Sequence, residues 1–362
     1  LHLPGSSFVN PGTELRDALT REAATRALAI TALGKDYRPV CDILDAKAFV
    51  NGIVGLMATG GSTNLVLHLP AMARAAGVDL RLEDFDAISS IVPLMAKVYP
   101  NGLADVNHFH AAGGLPYMIG RLLDAGLLHE DVKTVAGDGL GLHAQEPALD
   151  GGALIFRDGA KDSANDKILR TADDPFQATG GLKQLKGNLG HGMMKVSAVA
   201  PERHVVEAPA RVFESQNAVK EAFKAGEFTS DLVIVVRFQG PKANGMPELH
   251  GLTPALSVTQ QRGINVALVT DGRMSGASGK VPSCIHVSPE AAAGGPLSRI
   301  QNGDIIRVDA TNGTLECLTK DAMDRAPATP DLSHNGNGVG RELFDVFRQT
   351  VGSADTGAGV VV

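Results

Sequence analysis

The chain has 362 residues, 44% of them hydrophobic, with 42 glycines, no tryptophan and a formal net charge of −7. This length and composition predict two packed domains of an α/β protein and exclude a disordered chain. The 33 basic residues form no run, no apolar stretch approaches the roughly 18 residues of a membrane span, and no signal peptide is visible, so neither nucleic acid nor a membrane is expected as a partner.

The first half of the chain is predicted to be mainly helical. Thr13 can cap a helix that runs to Leu33, and a second helix is expected over Leu65–Ala76 despite a proline inside it. Between them lies a short apolar, buried segment, Asn51–Met57. Further helices are predicted over Ala87–Val98 and Leu115–Ala125.

A change in character at residues 145–166, where Pro and Gly precede a polar run, predicts a domain boundary or a long surface connection. We therefore expect domains at 1–165 and 166–362. Strands dominate the second domain and are predicted over Val205–Phe213, Leu232–Phe238, Ile264–Val269, Asp304–Val308 and Thr314–Leu318, the last two joined by an Asn312-Gly313 turn. Helices are expected among them over Ala218–Ala225, Thr253–Arg262 and Glu342–Gln349. The fold class is α/β, with a strand-rich mixed α/β second domain.

The three cysteines, Cys41, Cys284 and Cys317, are odd in number and far apart. They fit neither a disulfide framework nor the local spacing of a ferredoxin-type cluster site. Ordinary thiols in a reducing compartment are expected, which favours a cytoplasmic location. His108 and His110 flank Phe109 in a predicted loop, but no third metal ligand lies near them in the sequence.

The first of three polar loops, residues 60–64, precedes the predicted helix at Leu65. Ser62, Thr63 and Asn64 beside the free N–H groups of a helix start are typical of a site for a carboxylate or phosphate. The same side chains would serve equally well in an ordinary helix N-cap.

The second loop, residues 240–250, follows a predicted strand, and ligands of open α/β sheets lie at the carboxyl ends of strands. Glu248 offers hard oxygen ligands suited to Mg²⁺. Alternatively, Glu248 lies in the first turn of the next helix, where the helix dipole favours it.

The third loop, residues 271–280, also follows an apolar strand and groups Asp271, Arg273 and Lys280 among Gly and Ser residues. Such a loop presents backbone donors and cations to an anion. It is not a P-loop, because Met274 and Val281 stand where that motif needs Gly and Ser or Thr. The alternative is a flexible Ser/Gly turn.

These loops occur together in the order found in the dihydroxy-acid/6-phosphogluconate dehydratase family, which the chain resembles over its whole length. The segments that carry the resemblance are TGGSTN at 59–64, AAGGLP at 111–116, LKGNLG at 185–190, APARVFES at 208–215, GPKANGMPELH at 240–250, VTDGRMSGASGKVP at 269–282 and HVSPEA at 286–291. The starting segment LHLPGSSFVNP, YPNGLADVNHF at 99–109 and GVGRELF at 338–344 are most similar to the phosphogluconate branch.

The resemblance implies a fold in which residues 1–165 complete an α/β N-terminal domain and residues 166–362 form a strand-rich domain like a swivelling β-barrel. It implies the dehydration of 6-phosphogluconate, a step of the Entner–Doudoroff pathway, in a cytoplasmic homodimer. It also implies an iron–sulfur cluster, of the 4Fe-4S or 2Fe-2S type, and Mg²⁺. Family members carry the cluster cysteines in a long stretch ahead of the position matching Leu1, so this chain is expected to be catalytically incomplete.

The resemblance assigns roles to residues of the loops. Ser275 matches the position of the base that removes the C2 proton, and Glu248 matches a metal ligand. Ser278 and the backbone around Gly276 are candidates for binding the substrate carboxylate.

A phosphate dianion calls for a cation, so Lys280, and after it Arg273, are our candidates for binding the substrate phosphate. Asp271 and the first loop complete the candidate substrate site. Two alternatives stay open: a dihydroxy-acid or other aldonate dehydratase, and a non-catalytic pair of domains that acts in oligomer contacts.

Overall fold

The computed structural model describes residues 2–275 and 279–360, and the chain divides into two units. The first unit comprises residues 2–60 and 88–180, and the second comprises residues 61–87 and 181–360. The second unit thus takes a segment from the first half of the chain. The predicted boundary after residue 165 stays a prediction.

The first unit is mainly helical. As predicted, Thr13 caps the first helix by accepting a hydrogen bond from the Arg16 N–H at 3.2 Å, although the helix ends four residues before Leu33. The apolar segment Asn51–Met57 lies within a longer amphipathic helix that buries one face. The helices of this unit are α1 (Glu14–Ala29), α2 (Val40–Ile43), α3 (Ala46–Thr59), α6 (Val106–Ala111) and α7 (Gly114–Asp124).

One prediction for the first unit is wrong. The segment Ala87–Val98 is not one helix: α5 (Leu82–Ser89) ends early, and the residues after it are extended, with Leu94 forming an isolated bridge to Gln177. The segment after Gln145 also contains an antiparallel hairpin that was not predicted, formed by β1 (Gln145–Asp150) and β2 (Ala153–Asp158).

The histidine pair lies in α6 rather than in a loop. Asp105 caps this helix by accepting hydrogen bonds from the Asn107 and His108 N–H groups. The ring of His108 reaches back to the capping residue, so this histidine has a structural role in the helix start.

The second unit is built around a closed eight-stranded barrel. The strand order is β10-β3-β4-β8-β7-β6-β5-β9, and four neighbouring pairs are parallel, namely β10–β3, β5–β6, β6–β7 and β7–β8. The strands are β3 (Leu182–Gly187), β4 (Gly190–Lys195), β5 (Val205–Phe213), β6 (Leu232–Val236), β7 (Val266–Thr270), β8 (Ser283–Ser288), β9 (Ile305–Asp309) and β10 (Thr314–Cys317).

Both faces of β6 and β7 are buried, because their side chains alternate between the barrel interior and an outer layer. Val233 and Val235 point into the barrel interior, whereas Leu232, Ile234 and Val236 pack outward. The outer layer is covered by α8 (Gln216–Lys224) and α10 (Thr253–Gln261), which contribute side chains to the same cluster. Each aliphatic side chain buried in this way contributes about 1.5–3 kcal/mol.

Further helical segments lie in the second unit. α4 (Leu65–Ala75) and α9 (Pro241–Asn244) flank the candidate loops, and α11 (Asp345–Thr350) follows a one-turn 3₁₀ helix within the predicted late helix. α4 contacts another 3₁₀ turn, Ala354–Thr356, near the end of the chain. No helix in the described part of the chain is long and apolar enough to cross a membrane.

The predicted fold class, a mixed α/β chain with a strand-rich, barrel-like C-terminal region, is confirmed. All five predicted strands are present within two residues of their expected ends, and β9 and β10 pair across the Asn312-Gly313 turn. Three barrel strands were not predicted: β3, β4 and β8.

Candidate functional site

The second and third loops lie against each other in the barrel unit. Glu248 and Arg273 form an isolated parallel bridge, and the Leu249 N–H donates to the Arg273 carbonyl at 3.1 Å. This pairing follows from the parallel order of β6 and β7, which brings the loops after both strands to the same end of the sheet.

The Glu248 carboxylate is held by two donors from the third loop. Its Oε2 accepts a hydrogen bond from Arg273 Nη1 at 2.8 Å, and its Oε1 accepts one from the Ser275 backbone N–H at 2.6 Å. Glu248 and Arg273 are about 30% exposed, so the pair is partly screened by solvent. The contact fixes the backbone at Ser275 relative to Glu248.

Arg273 joins all three loops. Besides Glu248, its guanidinium donates to the Met246 carbonyl at 2.8 Å and to Asn64 Oδ1 at 3.4 Å. The predicted phosphate-binding role of Arg273 stays a prediction, but these contacts favour a role in connecting the loops.

The first loop, residues 61–64 in this unit, approaches the third from another side. Thr63 is buried, and its hydroxyl donates to the Met274 carbonyl at 3.0 Å. Asn64 stands at the N-cap of α4 without a side-chain capping bond, while Ser62 Oγ accepts the Asn64 N–H at 3.2 Å. The three predicted loops are therefore gathered at one place in the barrel unit.

A small cavity lies where the first and third loops meet the barrel. Its volume is about 20 Å³, room for about one water molecule, and its lining residues are Thr63, Lys195, Met274, Ser275, Gly279, Val281, Ser283 and Ile285. Ser275, the predicted base, thus shares the cavity with Lys195, for which no role was predicted.

Lys195 is the last residue of β4 and is only 6% exposed. Its ammonium donates to the Gly61 carbonyl at 3.1 Å. Burial lowers the pKa of Lys195 to about 8. The only sequence signal was a lysine directly after the apolar pair Met193-Met194.

Asp271 is fully buried at the end of β7. Its carboxylate accepts backbone N–H bonds from Phe238 at 3.1 Å, Gln239 at 2.9 Å and Ala291 at 2.9 Å. Burial raises the pKa of Asp271, and the three N–H bonds oppose this rise. A substrate contact for Asp271 stays a prediction, and the geometry favours a structural role in holding the neighbouring loops.

The last part of the third loop is only partly described. Lys280 is exposed, and its carbonyl accepts a hydrogen bond from Gln260 Nε2 at 3.2 Å. The two residues predicted to bind the substrate carboxylate, Gly276 and Ser278, lie outside the described residues.

Two other buried ionisable groups were not singled out by the sequence. His286 is 1% exposed, and among the described residues neither of its ring nitrogens has a hydrogen-bond partner. Burial, with smaller contributions from Arg273 and His68, lowers the pKa of His286 to about 3, so the ring is neutral. Glu290 accepts the Lys242 N–H at 2.8 Å at the start of α9, and burial raises the pKa of its carboxyl. Both residues lie in the segment HVSPEA at 286–291, whose sequence alone predicts no role for them.

Models of a known family match most of the chain. A model described as dihydroxy-acid/6-phosphogluconate dehydratase N-terminal matches residues 1–143, and its C-terminal counterpart matches residues 167–358. The chain belongs to the dihydroxy-acid/6-phosphogluconate dehydratase family.

Relatives within this family differ in similarity. The chain is 59% identical to a phosphogluconate dehydratase of Rhizobium meliloti and 54% identical to that of Escherichia coli strain K12, in each case over 99% of the chain. It is 40% identical to a dihydroxy-acid dehydratase of Renibacterium salmoninarum over 89% of the chain. The chain spans 60% of the length of the first two proteins and 53% of the third.

The described residues do not by themselves assemble either metal centre that the family resemblance implies. No three His, Cys, Asp or Glu side chains within residues 2–275 and 279–360 are grouped as metal ligands. Cys284 and Cys317 are buried and Cys41 is exposed. Both oxygens of Glu248 are engaged by Arg273 and Ser275, which leaves this carboxylate as one candidate oxygen ligand rather than a complete site.

Proposed function

We propose that the protein to which this chain belongs is a hydro-lyase that dehydrates 6-phosphogluconate to 2-keto-3-deoxy-6-phosphogluconate in the Entner–Doudoroff pathway. The observation that carries the proposal is the 54–59% identity to two phosphogluconate dehydratases over 99% of the chain. The 40% identity to a dihydroxy-acid dehydratase makes that activity the second candidate. The proposed substrate is therefore a phosphorylated sugar acid.

The reaction removes water across C2 and C3 of the acid. A base takes the C2 proton, the C3–O bond breaks, and the resulting enol tautomerises to the 2-keto acid. We propose Ser275 as the base, in line with its position in the cavity. The Glu248 carboxylate, which accepts the Ser275 N–H, would keep this residue in register with the substrate.

Substrate binding is proposed for the three loops. Ser62, Thr63 and Asn64 lie at the start of α4, where N–H groups favour an anion. Gly276 and Ser278 remain candidates for the carboxylate.

The phosphate is assigned to a basic side chain. Lys280, which is exposed, is our first candidate for this role, and Arg273, whose guanidinium contacts Glu248 and the Met246 carbonyl, is the second. Asp271 is kept only as a residue that supports the loops from within the barrel unit.

The cofactors and the assembly are proposed from the family resemblance. An iron–sulfur cluster, with ligands outside this chain, and Mg²⁺, with Glu248 as one ligand, would supply the Lewis acidity that a hydroxide leaving group needs. A cytoplasmic homodimer is likewise proposed.

The direct test is an anaerobic assay of the full natural gene product. The protein is offered 6-phosphogluconate and 2,3-dihydroxyisovalerate separately, and 2-keto acid formation is recorded together with iron and sulfide content. The proposal predicts turnover of the phosphorylated acid and little of the other. A preference for 2,3-dihydroxyisovalerate would replace it with the dihydroxy-acid activity, and absence of turnover in iron-replete protein would refute both.

A further inference from the structure

The buried lysine of β4 occupies an unusual position on the barrel wall. Met194 points into the barrel interior, and Met193 pairs with Ile285, which belongs to the outer cluster. Because side chains alternate along a strand, Lys195 lies on the same outer face as Met193. That face carries the cavity that Lys195 shares with Ser275.

The lysine keeps its charge in this position. With its pKa lowered by burial to about 8, Lys195 is still mostly protonated at neutral pH. Its bond to the Gly61 carbonyl ties the first loop to the barrel, but a neutral amide donor would make such a tie without the desolvation of an ammonium. The retained charge therefore suits an anionic ligand.

The cavity lining fits an anion. Its described residues supply the ammonium of Lys195 and the side chain of Ser275, and they include no acidic side chain. The hydroxyls of Thr63 and Ser283 donate to the Met274 and Val281 carbonyls, so the positive charge of Lys195 carries the fit. One oxygen of a carboxylate at the cavity opening would fill this space and gain a charge-assisted hydrogen bond from Lys195 in a partly desolvated setting.

The identity of the anionic group follows from the proposed function, on which this inference rests. A base in the cavity that takes the C2 proton lies next to the C1 carboxylate, which is one bond from C2. The phosphate on C6 is at the other end of the sugar acid. We propose that Lys195 binds the carboxylate of the acid substrate in the cavity that it shares with Ser275.

The test uses the full-length protein and two variants, Lys195→Gln and Lys195→Met. Glutamine can still donate to the Gly61 carbonyl but carries no charge, whereas methionine removes both the charge and the hydrogen bond. Lys186→Gln, at an exposed lysine of β3 paired with Glu83, is the matched control.

Two probes separate the ends of the substrate. D-Gluconate carries the carboxylate without the phosphate, and D-glucitol 6-phosphate carries the phosphate without the carboxylate. Their dissociation constants are measured anaerobically by calorimetry, alongside KM and kcat for 6-phosphogluconate. Thermal midpoints of all variants are recorded.

The expected result for Lys195→Gln is a loss of gluconate affinity of about 10-fold to 100-fold, as for a lost hydrogen bond to a charged group, and a matching rise in KM. Binding of D-glucitol 6-phosphate and the thermal midpoint should be unchanged, and Lys186→Gln should resemble the wild type. If Lys195→Gln does not fold, Lys195→Met is expected to give the same ligand pattern.

Other outcomes overturn the inference. Weaker binding of D-glucitol 6-phosphate alone would assign Lys195 to the phosphate. Unchanged binding of both probes, with a lower thermal midpoint only for Lys195→Met, would make Lys195 a loop anchor. If the wild type binds gluconate through Lys195 but does not turn over 6-phosphogluconate, the proposed function fails while the carboxylate site stands. If the wild type binds neither probe, the site itself is refuted.

Discussion

The position of Arg273 in a motif does not tell which charged group it pairs with. The grouping of Asp271, Arg273 and Lys280 predicts an anion site, but a sequence does not reveal which charges neutralise one another. The fold pairs Arg273 with Glu248, 25 residues earlier, and directs Asp271 toward backbone N–H groups. Lys195 was not predicted as a site residue because it lies 80 residues from Ser275 in the chain. The two residues meet only through the folding of the barrel.

The buried imidazole of His286 is expected to make the stability of the protein depend on pH. Its folded pKa of about 3 lies below the ordinary value of 6.5, so the native state cannot take up the proton that the unfolded chain binds. Because only the unfolded chain gains this proton, the free energy of unfolding decreases as pH falls from 6.5 toward 3, by up to roughly 1.4 kcal/mol per pH unit. His286→Asn, which tolerates the positive φ of 57° at this position, should lose less stability over that range.

The measurement for His286 is the urea midpoint of the wild-type protein and of His286→Asn at several pH values between 4 and 7. Near neutral pH the urea midpoints of the two proteins should differ by a constant amount. As the pH falls, the midpoint of the wild type should drop more steeply than that of His286→Asn. Parallel curves throughout would show that the imidazole does not resist protonation in the folded protein.

Among the secondary-structure elements, the apolar pattern of the sequence predicted the strands that are buried on both faces. β6 and β7 read as continuous apolar runs because both of their faces are buried. β3, β4 and β8 contain Lys, Gln, His and Gly, so propensity did not reveal them, and their place is set by pairing with distant strands. The segment Ala87–Val98 has helical spacing, but extended pairing with residues after 165 prevails.

Gly240, at the start of the second loop, lies where there is no space for a larger side chain. Its φ of −71° is ordinary, but a Cβ there would overlap the Glu290 carboxylate, which is 4% exposed and held by the Lys242 N–H. Gly240→Ala should lower the free energy of unfolding by about 2–3 kcal/mol, as for overpacking. The midpoint of urea unfolding measures this.

The control is Gly245→Ala in the same loop. A Cβ at Gly245 meets nothing within 4 Å, but its φ of +68° is strained for alanine. The loss should therefore be smaller, about 1 kcal/mol. Equal losses for both variants would show that the space around Glu290 is not the limiting factor.

At the scale of the molecule, the two units are not simple halves of the sequence. α4 comes early in the chain but belongs to the barrel unit, where Leu67 packs with Met246 and Ala354. A single boundary is what a change of composition can predict, whereas a segment that crosses to the other unit is visible only in the contacts.

Leu67→Ala tests this assignment. Leu67 is 8% exposed, and its truncation should destabilise the protein by about 2–5 kcal/mol. Hydrogen exchange should then accelerate in the segments around Met246 and Ala354 and not in α1 or α3. Leu28→Ala, at a leucine that is 74% exposed, is the control and should change little. Acceleration confined to α1 and α3 would contradict the division into units.

We propose that the gathered loops form this chain's share of the active site, with Ser275 as the base. The most direct measurement is the anaerobic turnover of 6-phosphogluconate by full-length Ser275→Ala protein, with the exposed Ser230→Ala as control and with iron content and thermal midpoint recorded. We predict that kcat falls by about 10²–10⁴-fold, as for loss of a general base, with folding and iron unchanged. Turnover close to that of the wild type would contradict the account.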